Sequence, residues 1–284
     1  MRVGLRLLEL ARARRARAIF VVGTGKNVGK TTALLAIYEA ACRSGLRVGV
    51  ASIGPKPRLW LDPNTVFVTA RSLLPPSPAV EVLEISQLAS SSGPLLYART
   101  AYGGHYYLAG PSSASGLRAA VEAITARSDI VLIDGAIDRI ATLASTDGAI
   151  VVSCGAAAAK TESEAVCDVA TLTARLRVPA FDPKDGVLEL EGALTATMAA
   201  DFIAAGEGRQ IVVGDSTQIV MSGRSLAEAL MRLRIRCRRA LDVIATTVCA
   251  VAPERSFDPE SFLAAVAGGT RLPSFDVFAG REVA

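Results

Sequence analysis

Residues 19–32, IFVVGTGKNVGKTT, decide how this chain reads. Residues 19–22 are an unbroken apolar run and read as a short, fully buried strand. Gly23, Gly25 and Gly29 end it in a loop of unusual backbone angles. From Lys30 onward, TTALLAIYEAACRSG carries apolar residues at helical spacing and stops at Gly45, a C-cap residue. Strand, glycine loop and a helix opening on Gly-Lys-Thr form the context in which a phosphate-binding motif has a mechanism. The plainer reading is an ordinary glycine turn before a helix.

The chemistry follows from the geometry that this pattern predicts. Backbone N–H groups of residues 23–32 (Gly23, Thr24, Gly25, Lys26, Asn27, Val28, Gly29, Lys30, Thr31, Thr32) close against a helix N-terminus and make a positive concavity for phosphate oxygens. Lys30 adds a mobile charge for the β- and γ-phosphates, and Thr31 offers a hydroxyl to Mg²⁺. In the strict G-x-x-x-x-G-K-[ST] pattern the first glycine falls at Thr24. Here it stands one place earlier, at Gly23.

Residues 129–139, DIVLIDGAIDR, are the second informative stretch. Four apolar residues between two aspartates predict a buried strand with Asp134 at its C-terminal end, where α/β sheets hold their ligands. An aspartate there suits holding Mg²⁺, and Gly135 lets backbone approach a γ-phosphate. Asp138 is a candidate for orienting a water or a substrate, and Arg139 for transition-state charge or a partner. The plainer reading of Asp134 is a strand-ending helix cap.

The bulk properties narrow the classes. A chain of 284 residues can bury one large core, or one and a half domains. With 51% hydrophobic but 5% aromatic residues it suits a sheet covered by small-residue helices. Weakly polar runs such as 148–159 are too short to span a bilayer. A net charge of +4 is mild and does not by itself indicate nucleic acid. Cys42, Cys154, Cys167, Cys237 and Cys249 are dispersed without C-x-x-C spacing, which points to reduced thiols and a cytoplasmic setting. His105 is the one histidine, so a His-based metal site or triad has little material.

The remaining segments fill in around these two motifs. Residues 1–18 are arginine-rich and predict a short amphipathic helix, read either as a solvated surface helix or as a targeting or anionic-surface segment. Residues 47–52 read as the second parallel strand. The proline-rich PKPRLWLDP that follows reads as a structured loop carrying Lys56. Residues 65–110 are several short β-rich runs holding four of the five tyrosines, and read as a β-rich insertion. Ser112, Ser113 or Ser115 caps a helix over GLRAAVEAITARS, and Asp258 with Pro259 opens another. LAEALMRLRIRCRRAL reads as one helix with a basic face.

The loop GTGKNVGKT resembles that of dethiobiotin synthetase-like P-loop proteins, with the pattern G-T-x-x-x-V-G-K-T, within the larger MinD-like class. Lys26 lies one place from the extra loop lysine of MinD-like ATPases, so that role does not transfer to it. Lys56-Pro57 resembles the Lys-Pro element after the second strand of the synthetases, where the lysine faces phosphate or substrate. GTGKNVGKTT, PKPR, AGPSS, LIDGAIDR, TDGAIVVS, FDPESFL and PSFDVFAG, in that order, are similar to the ATPase subunit of lysine 5,6-aminomutase reactivase. This resemblance implies an ATP-driven factor that reactivates an adenosylcobalamin-dependent aminomutase. It also implies a protein partner (the aminomutase or a reactivase co-subunit) and a possible homodimer. Nucleotide roles carry over to Lys30, Thr31 and Asp134.

The expectations are therefore these. The fold is α/β, a mainly parallel P-loop sheet flanked by helices with a β-rich insertion at about 65–110. A basic segment, 1–18, precedes a P-loop domain, 19–284, with a soft boundary near 182–186. The function is Mg²⁺-dependent ATP binding and hydrolysis, with Lys30, Asp134, Asp138 and Lys56 as catalytic candidates, Thr31 and Asp134 as metal ligands, and ATP and Mg²⁺ as cofactors. The alternatives are a ligase or kinase phosphorylating a small carboxylate or carbamate, and a non-catalytic nucleotide-binding scaffold. No membrane is expected, and nucleic acid is disfavoured.

Overall fold

A computed structural model describes residues 2–52, 55–75, 78–111, 113–135 and 148–283. The first half runs α1 (Arg2–Ala13), β1 (Ala18–Gly23), α2 (Lys30–Arg43), β2 (Val48–Ser52), β3 (Pro55–Leu61), β4 (Val66–Ala70), β5 (Val80–Ser90), β6 (Gly93–Thr100), β7 (Gly104–Ala109), α3 (Ala114–Thr125) and β8 (Ile130–Asp134). The second half runs β9 (Gly148–Gly155), α4 (Glu162–Leu176), β10 (Val187–Glu189), β11 (Leu194–Thr195), α5 (Ala196–Ala204), β12 (Gln210–Asp215), β13 (Ile219–Val220), α6 (Gly223–Arg232) and β14 (Arg234–Arg239). It closes with β15 (Asp242–Cys249), β16 (Val251–Ala252), β17 (Arg255–Ser256), α7 (Pro259–Thr270), β18 (Ser274–Asp276) and β19 (Arg281–Val283).

The fold is mixed α/β, built on one large and mostly parallel sheet. Among the described residues its strand order is β19-β18-β15-β9-β1-β8-β2-β4-β6-β5. The strands from β18 to β4 run parallel, and β19, β6 and β5 add antiparallel margins. The central strand is β1, buried along its length. Side chains alternate across a strand, so Phe20 and Val22 enter one core with Leu117, Val121 and Ile124 of α3, Val169 and Leu176 of α4, and Phe262 and Val266 of α7. Ile19 and Val21 enter the opposite core with Leu7 and Leu8 of α1 and Leu34 and Ile37 of α2. Burying each such aliphatic side chain is worth about 1.5–3 kcal/mol.

The N-terminal helix is part of this second core. Val3, Leu7, Leu8 and Ala11 are buried, and its arginines line the outer face. The approach to α2 is so close that a Cβ on Gly4 would lie 1.9 Å from the Ala36 carbonyl oxygen. The amphipathic helix is thus a surface helix whose arginine face is solvated and whose apolar stripe at Val3, Leu7 and Ala11 docks on α2. Among the described residues, no helix is long and apolar enough to cross a membrane.

Three further readings change. The proline-rich segment after β2 is a strand, β3, paired antiparallel with β7 across a register shift between Pro55 and Arg58. Prolines are tolerated there because the pair forms a separate two-stranded unit. The region 65–110 does not form one insertion. Its first strand, β4, belongs to the parallel core beside β2, β6 and β5 extend the same sheet, and β7 pairs with β3. Of its tyrosines, Tyr97 and Tyr106 are buried, whereas Tyr102 and Tyr107 are exposed. Finally, RIRCRR is a strand and not a helical continuation. Ile235 and Cys237 are buried while Arg234 and Arg238 project outward to Asp185 and Glu189, a period of two.

That strand belongs to a small parallel sheet, β10-β12-β14, with a core of its own over Val178, Leu194, Ile211, Val213, Leu226 and Ile235. It lies in sequence between α4 and β15. Ser113 and Asp258 cap α3 and α7, accepting from the N–H groups of Gly116 and Ser261.

Candidate functional site

The site grows out of the C-terminal end of β1. There Val21 lies opposite Asp134 of β8, and Gly23 opposite Ser153 of β9. Two backbone hydrogen bonds fix the neighbouring turns: Thr24 N–H donates to the Ser153 carbonyl at 3.0 Å, and Gly135 N–H to the Val21 carbonyl at 3.1 Å. Ser52, at the end of β2, flanks Asp134 on its other side.

From Gly23 the chain doubles back. Asn27 (φ 57°) and Gly29 (φ 87°) take left-handed backbone angles on either side of Val28, whose side chain is buried and plugs the loop into the fold. Gly23 must be glycine for want of space: a Cβ there would stand 2.7 Å from Val28 Cγ2 and 2.9 Å from the Ser153 carbonyl oxygen. At Gly25 it would meet Ala158 Cβ at 2.8 Å. Gly29 is the N-cap of α2 and provides no side-chain acceptor, so the leading amides of the helix are left to an external one. A cradle this tight, lined by backbone and small side chains, fits a phosphate chain.

Lys30 opens α2 and turns back, its Nζ donating to the Gly25 carbonyl. Burial lowers its pKa, with the charge of Asp134 acting in the opposite direction. Asp134 is mostly buried at the end of the adjacent strand. Burial raises its pKa, and Lys30 opposes that rise. Each group feels the other's charge across the space beside the loop.

The other predicted residues divide. Thr31 is exposed on the first turn of α2, Thr32 is half-buried, and Lys26 and Asn27 lie exposed at the loop tip. Among the described residues, no group of three or more His, Cys, Asp or Glu side chains clusters for a metal. Thr31 stands in the first turn of α2 and Asp134 ends β8, on the two elements that flank the loop, and Mg²⁺ needs few protein ligands because it keeps waters and takes oxygens from phosphates. Lys56 lies on β3, outside the main sheet, instead of in a loop. Asp138 and Arg139 lie outside the described residues.

The surroundings include groups that the motifs did not single out. Gly155 lets β9 approach the loop, since a Cβ there would fall 2.7 Å from the Cys249 carbonyl oxygen and 3.4 Å from Val28 Cα. Ser153 and Thr247 pair through their hydroxyls at 2.7 Å, buried beneath the loop. Burial pushes the Cys154 and Cys249 thiols up, which keeps them protonated. Phe278, on the turn after β18, lies against Gly29. A cavity of about 560 Å³ adjoins Thr24 and is lined by Asp168, Thr171 and Arg175 of α4 and by Ser222 and Arg224 at the start of α6. Only the tertiary fold could reveal these neighbours, because they come from strands and helices far along the chain.

Residues 9–66, from within α1 to the start of β4, match a family model described as "Domain of unknown function (DUF1611_C) P-loop domain". The matched stretch contains the whole loop and both strands β1 and β2. No curated protein and no solved structure matches the chain.

Proposed function

We propose that this protein binds ATP with Mg²⁺ and hydrolyses it. The observation that carries the reading is the tight loop before α2, where a Cβ on Gly23 would meet Val28 Cγ2 at 2.7 Å and one on Gly25 would meet Ala158 Cβ at 2.8 Å, with the Lys30 ammonium turned back onto the Gly25 carbonyl. In this reading the backbone amides of residues 23–32 bind the phosphates. Lys30 exchanges the Gly25 carbonyl for a phosphate oxygen, and Thr31 and Asp134 hold the metal directly or through water. The metal, when bound, neutralises charge on the β- and γ-phosphates. The loop excludes bulk water from one side of the phosphate chain and orients it for in-line attack.

The finer reading, supported by the ordered motif resemblance, is that turnover drives a protein partner, with reactivation of an adenosylcobalamin-dependent aminomutase as the specific case. The test is phosphate release by the purified protein with Mg²⁺-ATP, alone and with an aminomutase. Stimulation by the mutase supports the finer reading, and an ATPase indifferent to it supports only the coarser one. No phosphate release in either condition would sink both.

A second reading is favoured by the cavity beside Thr24. Among the described residues, Arg175 and Arg224 line it with a single carboxylate, Asp168, and this net positive lining suits a small anionic acceptor phosphorylated at the expense of ATP. In that case ADP release depends on added small carboxylates and not on protein, and Arg224→Ala raises the acceptor KM without changing ATP affinity.

A further inference from the structure

The glycine that opens the loop helix touches a residue near the other end of the chain. A Cβ on Gly29 would stand 3.3 Å from Phe278 Cε2 and 3.4 Å from Cys249 Cβ. Phe278 is nevertheless 60% exposed. One edge of its ring therefore rests on the loop while most of its surface faces solvent, which leaves an aromatic face open beside the glycine cradle.

The turn that carries the ring is held by hydrogen bonds. Asp276, buried at the end of β18, accepts from the N–H groups of Phe278 and Ala279, each at 2.9 Å, and Gly280 N–H closes the turn on the Asp276 carbonyl at 2.9 Å. Both β18 and β15 run parallel to β1, so the Phe278 turn and the loop emerge from the same end of the sheet. Across that end the groups come in a definite order. Asp134 stands on β8, Lys30 and the glycine cradle follow β1, Cys249 ends β15, and Phe278 follows β18. Carboxylate, ammonium, amides, then an apolar aromatic surface is also the order of needs along a nucleotide, from metal-bound γ-phosphate to base.

We propose that Phe278 is the platform on which the base of the bound nucleoside triphosphate stacks, with Asp276 as the positioning residue that fixes its turn. Every base offers a π-face, and a purine covers more of the ring. The assignment rests on the nucleotide-binding reading above and adds to it the base subsite at the β15 and β18 end of the sheet.

The test separates the two claims by comparing ATP with inorganic tripolyphosphate, which has the phosphate chain but no base. Binding of each, with Mg²⁺, is measured by calorimetry on wild type, Phe278→Ala and Phe278→Tyr. Stacking predicts that Phe278→Ala weakens ATP about 5- to 100-fold while tripolyphosphate is unchanged, and that Phe278→Tyr restores ATP affinity. Unchanged ATP affinity in Phe278→Ala would overturn the platform and leave the nucleotide reading intact. Equal weakening of ATP and tripolyphosphate would also overturn it, since the ring would then serve only to shape the loop. Failure of wild type to bind either ligand would remove the nucleotide reading itself, and the platform with it.

Discussion

Lys30 spends its ammonium on the carbonyl of Gly25, a residue of the same loop it is placed to serve. The charge is thereby parked over the cradle and kept from the solvent, where a lysine at a helix start would otherwise extend. Replacement of that carbonyl by a phosphate oxygen exchanges a neutral acceptor for a charged one, which strengthens the bond. Lys30→Ala is expected to weaken Mg²⁺-ATP and Mg²⁺-tripolyphosphate alike, by roughly 10- to 100-fold. Calorimetric titration checks this, and retention of wild-type affinity would remove Lys30 from the site.

Asp134 carries a pH signature. Its folded-state pKa is raised by burial, so the folded protein holds this proton to higher pH than the unfolded chain does. Stability of the nucleotide-free protein should therefore fall as pH rises from the ordinary carboxylate range through the raised value. Asp134→Asn should abolish that fall, melt higher than wild type at neutral pH, and lose Mg²⁺-dependent ATP affinity. Thermal melts across pH, with and without Mg²⁺-ATP, test all three. A variant that melts lower at neutral pH would mean that the Lys30 partnership outweighs burial.

Gly23→Ala tests the cradle without removing a charge, although its Cβ would also stand 3.0 Å from Lys30 Cδ. Its Cβ would meet Val28 and the Ser153 carbonyl at 2.7 and 2.9 Å, so the loop must shift outward, at a cost of about 1–3 kcal/mol in stability. ATP affinity should fall with it. A variant that binds ATP as wild type does would show that the loop has slack that its packing does not suggest.

At the opposite end of the sheet, Arg47 clamps β2 to β8. Its guanidinium donates to the Asp129 carboxylate at 2.7 and 3.2 Å and its backbone N–H at 2.9 Å, holding that carboxyl at about 2. A depressed carboxylate contributes stability that is present above its unfolded pKa and lost as pH falls toward 2. The pair is exposed, so Asp129→Asn should cost no more than about 1 kcal/mol at neutral pH. Urea unfolding at pH 7 and at acid pH should show the difference between variant and wild type disappearing in acid.

How much of this was legible in the sequence depended on whether the signal was local. The loop, the strand ending in Asp134 and the cap at Asp258 are written in consecutive residues and can be read there, whereas the α3 cap is narrowed only to Ser112, Ser113 or Ser115, of which Ser113 is the cap. RIRCRR was misread because its arginines matched a charged helix face, although Ile235 and Cys237 between them carry the strand period that the fold obeys. PKPR was misread because proline argues against a strand in general, but not against one in an isolated antiparallel pair. Residues 66–70 looked like part of an insertion because nothing local says which sheet an apolar run will join. Phe278 was the least visible, since its partner Gly29 lies at the far end of the chain and only the strand order brings them together.

The backbone contact at Gly4 has a mechanical meaning. Helices separated by long side chains can slide, because rotamers absorb displacement, whereas α1 and α2 touch where no side chain intervenes. The helix that begins at Lys30 thus bears directly on the backbone of α1. Any tilt imposed on it by a ligand at the loop would reappear as displacement of α1. A fluorophore placed at the exposed Leu5 would report that displacement on adding Mg²⁺-ATP. A signal blind to nucleotide would mean that the two helices stay still while the loop alone adjusts.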